Sequence, residues 1–445
     1  MATYLNRTPS GASNRKTWTY STWVKRSKLG AGSCFFQCGA GTVEFGAYFM
    51  ANDTLEVYEY DSGSFRFQYK TDQVFRDPSA WYHIVIACDT TQGSAGDRVK
   101  IYLNGSQITS FSTATNPSQD QNTSVNSTLP NVIGSFHSLS SGFYLGYMAQ
   151  TILVDGTALT PSTFGSTNAN GIWVPNTSPS VTYGTNGFKL DFAGTGTAAN
   201  ASGFGADTSG NGNHFAAAGL GTNPSTTDTT QNNFATLNIR DERQSATFTK
   251  GALEVVTNSS NRNYVTMTQA TKGGKWYLEC KFSDGAGNGY VGFCDMNNLQ
   301  MSGTSTLGDK SNEARVNSDG SYEIGNSTTS GWAGSFTDND ILGLALDCDN
   351  NRFTLSKNGQ WADGSGNYDE ANPTAYISFT SGNFMSFAFG EGAGGATATI
   401  EVNAGQPIFT ISSSNSDANG EGSFEYAVPS GYYALCTNNL AAHGG

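Results

Sequence analysis

Short runs of alternating apolar and polar residues recur along this chain, and a period of two predicts half-buried β-strands. The clearest run is DILGLALDCDNNRFTLSKNGQW at 340–361, where Leu342, Leu344, Leu346 and Cys348 alternate with Ile341, Gly343, Ala345 and Asp347. Asp349-Asn350-Asn351 supplies turn chemistry, and Phe353 and Leu355 resume the alternation. Asn358-Gly359 then predicts a tight hairpin, because both residues tolerate φ > 0. The run at 81–105 has the same plan: Ile84, Ile86 and Cys88, a polar turn opened by Asp89, then Val99, Ile101 and Leu103 before Asn104-Gly105. Two distant parts of one chain sharing this plan predict two antiparallel β-sandwiches in tandem.

Taken in order, TWTYSTWVKR at 17–26 reads as the first long strand, followed by strands at 33–38 and 42–50. Segments 54–61 and 64–70 form a hairpin across Asp61-Ser62-Gly63. A polar run at 113–128 precedes the closing strands at 131–135 and 143–154. From Gly165 the pattern weakens, although GFKLDFAG at 187–194 still reads as a strand. An isolated strand is unstable, so this stretch is expected to edge onto a neighbouring domain. Regular alternation resumes near Phe248. The predicted organisation is a sandwich at 1–164, an irregular connector with edge strands at 165–245, a second sandwich at 246–405 and a tail at 406–445.

Composition supports this fold class. At 445 residues the length prior is about three domains. Charged residues make up 13% and glycine numbers 54, which suits short strands joined by polar turns and opposes helical bundles. A net charge of −13 opposes nucleic-acid binding, which needs a basic surface to displace counterions. The sequence has no signal-like apolar segment at its start and no run long enough to span a bilayer, so no membrane insertion is expected. The cysteines are Cys34, Cys38, Cys88, Cys280, Cys294, Cys348 and Cys436. Cys34, Phe36 and Cys38 are expected on one strand face. Four residues of strand separate the two cysteines by about 13 Å, too far for a disulfide. Together with four scattered histidines, they predict buried thiols in a reducing compartment and no zinc site.

Several motifs carry a resemblance. TWTYSTWVKRS at 17–27, WYHIVIACD at 81–89, KIYLNGSQI at 100–108 and GYMAQTILVDGTALTPSTF at 146–164 resemble the laminin-G-like, concanavalin-A-like jelly roll. GGKWYLECKF at 273–282, the Val291-Gly292-Phe293 strand and the Gly331-Trp332 turn resemble the SPRY domain, as do the strand at 340–347, Lys357-Asn358-Gly359 and FAFG at 387–390. The combination of these units with NNFATLN at 232–238 and PSGYYALCTNNL at 429–440 resembles virion proteins of tailed phages, particularly marine ones. The resemblance implies a non-enzymatic tail-fibre or surface-decoration protein, made in the host cytoplasm and assembled into the virion. Its partners would be other virion proteins and a host-surface glycan or protein, with a homotrimer implied by analogy with phage fibres. A purely structural fibre joint or capsid decoration is the alternative, and a polysaccharide depolymerase a further one.

Candidate chemistry is sparse. Concanavalin-A-like folds include retaining glycosidases, which need two carboxylates about 5 Å apart. The nearest approach is Glu56-Val57-Tyr58-Glu59-Tyr60-Asp61, which lacks the E-x-D-x-x-E spacing and is expected to be a solvated strand end. No catalytic or cofactor-binding residue is assigned. Two runs begin like calcium loops. In the first, Asp347, Asp349 and Asn351 are followed by Arg352 and Asn358 where Gly and Glu belong. In the second, Asp207, Ser209, Asn211 and Gly212 are followed by Ala218 in place of the Glu. Both are expected to be plain turns, with weak calcium binding as the minority reading and no metal ligand assigned. Trp332 and Trp361 flank the central hairpin. Trp361, beside Asn358 or Asp363, is the candidate ring for a sugar platform, whereas Trp332 is expected to be structural. His83 beside Trp81 is expected to be either a satisfied residue or an edge residue, and Tyr432 and Tyr433 either pin the tail to a neighbour or cap their own core.

Overall fold

The strand Thr17–Arg26 alternates Trp18, Tyr20, Thr22 and Val24 against Thr19, Ser21, Trp23 and Lys25, and all eight are buried. A strand buried on both faces lies in the middle of three layers, and this recurs in both halves of the protein. The computed structural model describes residues 3–169, 171–221, 224–240, 246–257, 263–298, 307–381, 384–392 and 397–444. The chain forms two units, Met1–Ser225 and Thr226–Gly445. Both are antiparallel β-sandwiches, and the one α-helix among the described residues is Thr437–His443. Among the described residues, no helix is long and apolar enough to cross a membrane.

In the first unit an eight-stranded sheet runs in the order Phe111–Thr115, Ser64–Val74, Thr54–Asp61, Val43–Phe49, Ser33–Ala40, Asn131–Ile133, Tyr4–Arg7, Ala216–Ala218. It packs on a six-stranded sheet ordered Phe188–Leu190, Gly146–Asp155, Thr17–Arg26, Trp81–Asp89, Val99–Leu103, Ser106–Gln107. Between them Tyr20 stacks on Phe36 at 4.1 Å, and Trp18 meets Phe45 edge-on at 5.2 Å. Asn104 and Gly105 both take positive φ and close the hairpin, as the dipeptide predicts.

The division of the chain differs from the sequence expectation. The stretch from Gly165 is no separate connector, because its strands complete the first sandwich. Phe188–Leu190 pairs with Thr151–Leu153, Ala216–Ala218 pairs with Tyr4–Asn6, and Phe188 and Phe215 are fully buried. Residues between those strands cover the outer face of the six-stranded sheet. Phe164, Val181 and Tyr183 pack on Val85, Ile152 and Val154. From Thr226 onward the chain belongs to the second unit. The expected boundary at 245 lies outside the described residues.

A second correction concerns Cys34 and Cys38. A β-bulge between Cys34 and Phe36 shifts the register by one, so Cys34 lies opposite Tyr48 on the outer face and Cys38 opposite Phe45 on the inner face. One extra residue reverses every side chain beyond it. All seven cysteines are buried free thiols.

In the second unit a large sheet is ordered Thr247–Thr249, Glu254–Val256, Thr399–Asn403, Lys275–Asp284, Ile341–Asp347, Arg352–Lys357, Gln360–Ala362, Tyr368–Glu370. Ile377–Ser378 and Tyr433–Ala434 pair off this path. The opposing sheet is ordered Asn263–Thr266, Met385–Glu391, Gly289–Asp295, Ala314–Asn317, Tyr322–Ile324, Ser327–Thr329. Leu342, Leu344 and Leu346 face this sheet with Trp276, Leu278, Phe293 and Phe387. The tail from 406 is again part of the fold. Phe424, Tyr432, Ala434 and Cys436 cover Tyr277, Ala345 and Trp361 on the outer face of the large sheet.

Two buried carboxylates fasten that cover. Glu279 is fully buried and accepts from the Glu425 and Tyr426 amides at 2.9 and 2.8 Å, the Tyr277 hydroxyl at 3.2 Å and Asn403 Nδ2 at 3.3 Å. Asp417 accepts from the amides of Asn419, Glu421 and Ala434 and from Asn439 Nδ2 at 2.7 Å. The segments NNFATLN and CTNNL interlock through these contacts. Asn233 and Thr437 exchange bonds of 2.9 and 3.0 Å, and Asn438 donates to both Asn232 Oδ1 and Glu421. Each motif therefore satisfies the other's polar groups.

Two outcomes are expected. Asp417→Ala leaves buried donors on Ala434 and Asn439 unsatisfied and lowers the stability of the second unit by about 3 kcal/mol, read as a downward shift of one calorimetric transition. Burial pushes the Glu279 carboxyl up from its usual value to about 7. Its proton is thus held more tightly in the folded state than in the unfolded chain. The stabilisation is complete below about pH 4.5 and is lost as pH rises through about 7. Denaturant melts of the second unit should show that loss, and Glu279→Gln should flatten it.

Candidate functional site

The sites sequence suggests resolve mostly into structural roles. Glu56 and Glu59 point to opposite faces of their strand, since Glu56 lies opposite Lys70 on the outside and Glu59 opposite Phe67 on the inside. Glu59 is a buried residue, not a solvated strand end. It accepts from the Ser124 amide at 2.9 Å and the Ser124 hydroxyl at 2.5 Å, and burial pushes it up to about 7. Asp61 does lie at the exposed turn, paired with Arg66 at 3.0 Å.

Both calcium-like runs form turns with their oxygens engaged. Asp347 is fully buried and holds Arg352 at 2.9 Å, Lys275 at 3.4 Å and the Asn350 amide at 3.0 Å, while Asp349 accepts from the Gly274 amide. Asp207 accepts from the amides of Lys189, Ser209 and Asn213. Ala218 lies in a strand paired with Tyr4. No group of three acidic, His or Cys side chains suited to a metal occurs among the described residues.

Trp361 is not a sugar platform. It is 4% exposed and packs on Tyr277 at 6.3 Å beneath the tail, because period two turns it toward the covered face. Asn358 bonds to Ile341 and Asp340, and Asp363 to Ser365 and Asn367. Trp332 packs edge-on to Tyr322 in the core. Tyr432 caps the tail cluster, and Tyr433 stacks on His443 at 3.8 Å. His83 is buried between Trp23 and Trp173, with ring centroids 4.7 and 6.0 Å away. Trp173 donates to its Nδ1 and Ser21 lies 2.9 Å from its Nε2, so Nε2 carries the proton toward Ser21. That tautomer cannot accept a proton from the serine, and burial lowers the His83 pKa to about 3.

Among the described residues, the outer side of the eight-stranded sheet stays partly open. There the alternation that buries Phe45, Ala47, Phe49, Leu55, Val57 and Phe67 turns Glu44, Tyr48, Glu56, Tyr58, Tyr60 and Gln68 outward, and a register shift at Glu59/Tyr60 brings Phe65 onto the same face. The rings form a continuous row. Phe65 lies 5.1 Å from Tyr60 and 5.8 Å from Tyr58, Tyr58 lies 6.0 Å from Tyr48, and Tyr48 lies 5.5 Å from Phe136. Phe65 is 46% exposed, Tyr48, Tyr60 and Phe136 are half-buried, and Tyr58 is buried beneath them. Gly46 sits opposite Tyr58, and a Cβ there would stand 2.4 Å from the Tyr58 ring. The missing side chain lets that ring lie across the neighbouring strand.

Polar groups flank the row. The Tyr58 hydroxyl donates to Glu44 Oε1 at 2.7 Å, and Glu44 Oε2 accepts from Gln37 Nε2 at 3.1 Å and pairs with His137 Nδ1 at 2.9 Å. The Tyr48 hydroxyl donates to Glu56, which also takes Gln68 Nε2 at 2.5 Å and Lys70 at 3.7 Å. Burial, then the bonded carboxylate, pushes both tyrosine pKa values well up, so both hydroxyls stay protonated donors. Fixed rings beside fixed amides and carboxylates can hold a ligand with apolar faces and hydroxyl edges. In the second unit an open depression of about 290 Å³ lined by Ser311, Ile324, Gly325, Ser378, Phe379 and Thr380 has no charged side chain and one aromatic ring.

Sequence reading passed over this row because tyrosine and phenylalanine at 58–67 occur on both strand faces. The usable signal was Glu44, Tyr48, Glu56, Tyr58 and Tyr60 at outward positions of paired strands, which required the register.

Residues 3–163 match the family model described as the concanavalin A-like lectin/glucanases superfamily. No curated protein matches the chain. Among solved structures, stonustoxin is similar at 16% identity with a TM-score of 0.31, over 38% of this chain and 27% of that one. The SPRY domain of human HERC1 is similar at 12% identity with a TM-score of 0.29, over 37% of this chain and 96% of that one. A heptameric SAP-like pentraxin from Limulus polyphemus is similar at 17% identity with a TM-score of 0.29, over 40% of this chain and 87% of that one.

Gly46→Ala should displace Tyr58 and destabilise the first unit by about 1–3 kcal/mol. In a Tyr58→Ala background the same change should cost little, and a double-mutant cycle on the first unfolding transition measures the difference.

Proposed function

We propose that this chain is a non-enzymatic component of a tailed-phage virion, in a fibre or surface-decoration position, that binds a host-surface glycan through the outer face of its N-terminal sheet. The observation that carries the reading is the row of rings from Phe65 to Phe136 with the half-buried Glu44–His137 pair beside it. Flat apolar surfaces beside oriented donors and acceptors match a sugar ring's apolar face and hydroxyl rim. The concanavalin A-like family model over 3–163 agrees with a glycan-binding role for this unit. The virion assignment rests on the sequence resemblance. The interlocking of NNFATLN with CTNNL gives a physical reason for those two signatures to occur together. Docking on other virion proteins and homo-oligomer formation, with three copies as in fibres, belong to the same proposal.

Binding is favoured over hydrolysis by the register. Glu44 lies opposite Tyr60 and Glu56 opposite Tyr48. Their backbones are therefore four strand positions apart, about 13 Å along the strands, so the register does not set the two residues side by side as paired catalytic carboxylates. Each carboxylate is also held by a tyrosine hydroxyl.

The test is binding of purified protein to intact candidate host cells, with and without EDTA, with soluble sugar assayed in the same tubes. Saturable binding, unchanged by EDTA, without sugar release and weakened at least about tenfold by Tyr48→Ala, is expected. Binding by no permissive host would replace this reading with a purely structural fibre joint or decoration, and sugar release would replace it with a depolymerase.

A further inference from the structure

The ring row has a direction and a length, and both bear on what it holds. Phe65 belongs to Ser64–Val74, Tyr58 and Tyr60 to Thr54–Asp61, and Tyr48 to Val43–Phe49. Phe136 extends the row past Tyr48 on the side of Ser33–Ala40, beside His137, whose amide donates to Gln37 of that strand. The row thus runs across four adjacent strands, about 14 Å at the usual interstrand spacing. That is longer than a single sugar ring. Its two ends also differ. At one end Phe65 stands beside the exposed turn Asp61-Ser62-Gly63, its ring packed on Tyr58 and Tyr60. At the other end Phe136 is backed by Gly142 and packed on Tyr48, with the His137–Glu44 pair alongside.

We propose, resting on the glycan reading above, that the face selects an extended neutral oligosaccharide lying across the strands, with Phe65 as the outlying ring that reads chain length. Neutrality follows from the lining. Glu44 and Glu56 are the central charges, each already holding one basic partner, His137 or Lys70, and the chain carries a net charge of −13. A uronate or sulfated polymer would bring further negative charge against them, and the nearby cations Lys70 and Arg66 are already paired with Glu56 and Asp61. A neutral sugar brings no such charge: its apolar faces meet the partly exposed rings of Tyr48, Tyr60, Phe65 and Phe136, and the half-buried Glu44–His137 pair lies beside them for its hydroxyl edge. Phe65 is 46% exposed at the end of the row, packed on the rings of Tyr58 and Tyr60, so its contribution falls on a ligand long enough to reach it. Length selection then resides in one side chain, while the central rings hold short and long ligands alike.

The experiment is calorimetric titration of the full chain with neutral gluco- and manno-oligosaccharides of increasing length, from the monosaccharide upward, alongside oligouronates. Affinity is expected to rise with length and level off once the row is covered. Phe65→Ala should lower affinity for the longest ligands by about tenfold and leave the disaccharide unchanged. Far-UV dichroism and unfolding of Phe65→Ala should match the parent, since the ring is half in solvent. Affinity independent of length, equal loss for short and long ligands, or preference for oligouronates would overturn the inference while leaving glycan binding intact. No binding at any length, neutral or acidic, would overturn both.

Discussion

A β-strand has two faces, and in a sandwich only one of them meets the opposing sheet. Much of this structure follows from that constraint. The central strands of both units carry buried side chains on both faces, so each sandwich needs a third layer. The chain supplies it from its least regular segments. In the first unit Phe164, Trp173, Val181 and Tyr183 cover the six-stranded sheet. In the second, Phe424, Tyr432, Ala434 and Cys436 cover the large sheet. Segments that look like linker and tail are structural because bare apolar sheet would otherwise face water.

Irregular cover cannot be held by sheet ladders, since its backbone has no strand to pair with along most of its length. Buried side-chain oxygens take over that role. Glu279 and Asp417 each gather four donors from the tail and its neighbours. In the first unit Asp155 does the same, accepting from the Asn14 and Asn186 amides and from Asn126. The cost is desolvation of a carboxylate without a cation, which is why Glu279 and Glu59 are both pushed up to about 7. The low-charge, Asn- and Asp-bearing composition of the loops is thus a structural requirement.

The outer side of the eight-stranded sheet is left partly open among the described residues, and there the chain uses tyrosine. A tyrosine covers the sheet with its ring and keeps a hydroxyl for the carboxylate beside it, as Tyr58 does with Glu44 and Tyr48 with Glu56. The face is therefore self-satisfied yet wet at its edge, a state suited to reversible contact with a ligand of mixed character.

The sequence by itself determined the strands, the two Asn-Gly hairpins and the pairing of two sandwiches, because period-two alternation and positive-φ turn residues are local properties. Leu342, Leu344 and Leu346 faced the core as their spacing required. It also carried the burial of the cysteines and the role of His83 as a satisfied residue. Tertiary structure alone decided what lay on the second face of each strand. Trp361, which local pattern offered as an exposed ring, is covered by a tail nearly seventy residues further along. Cys34 was turned outward by a bulge that leaves no mark in the alternation. The ring row depended on register across four strands, so its members, from Tyr48 to Phe136, are neighbours only after pairing. Alternation along one strand encodes two faces, and only the packing of distant segments determines which of them water reaches.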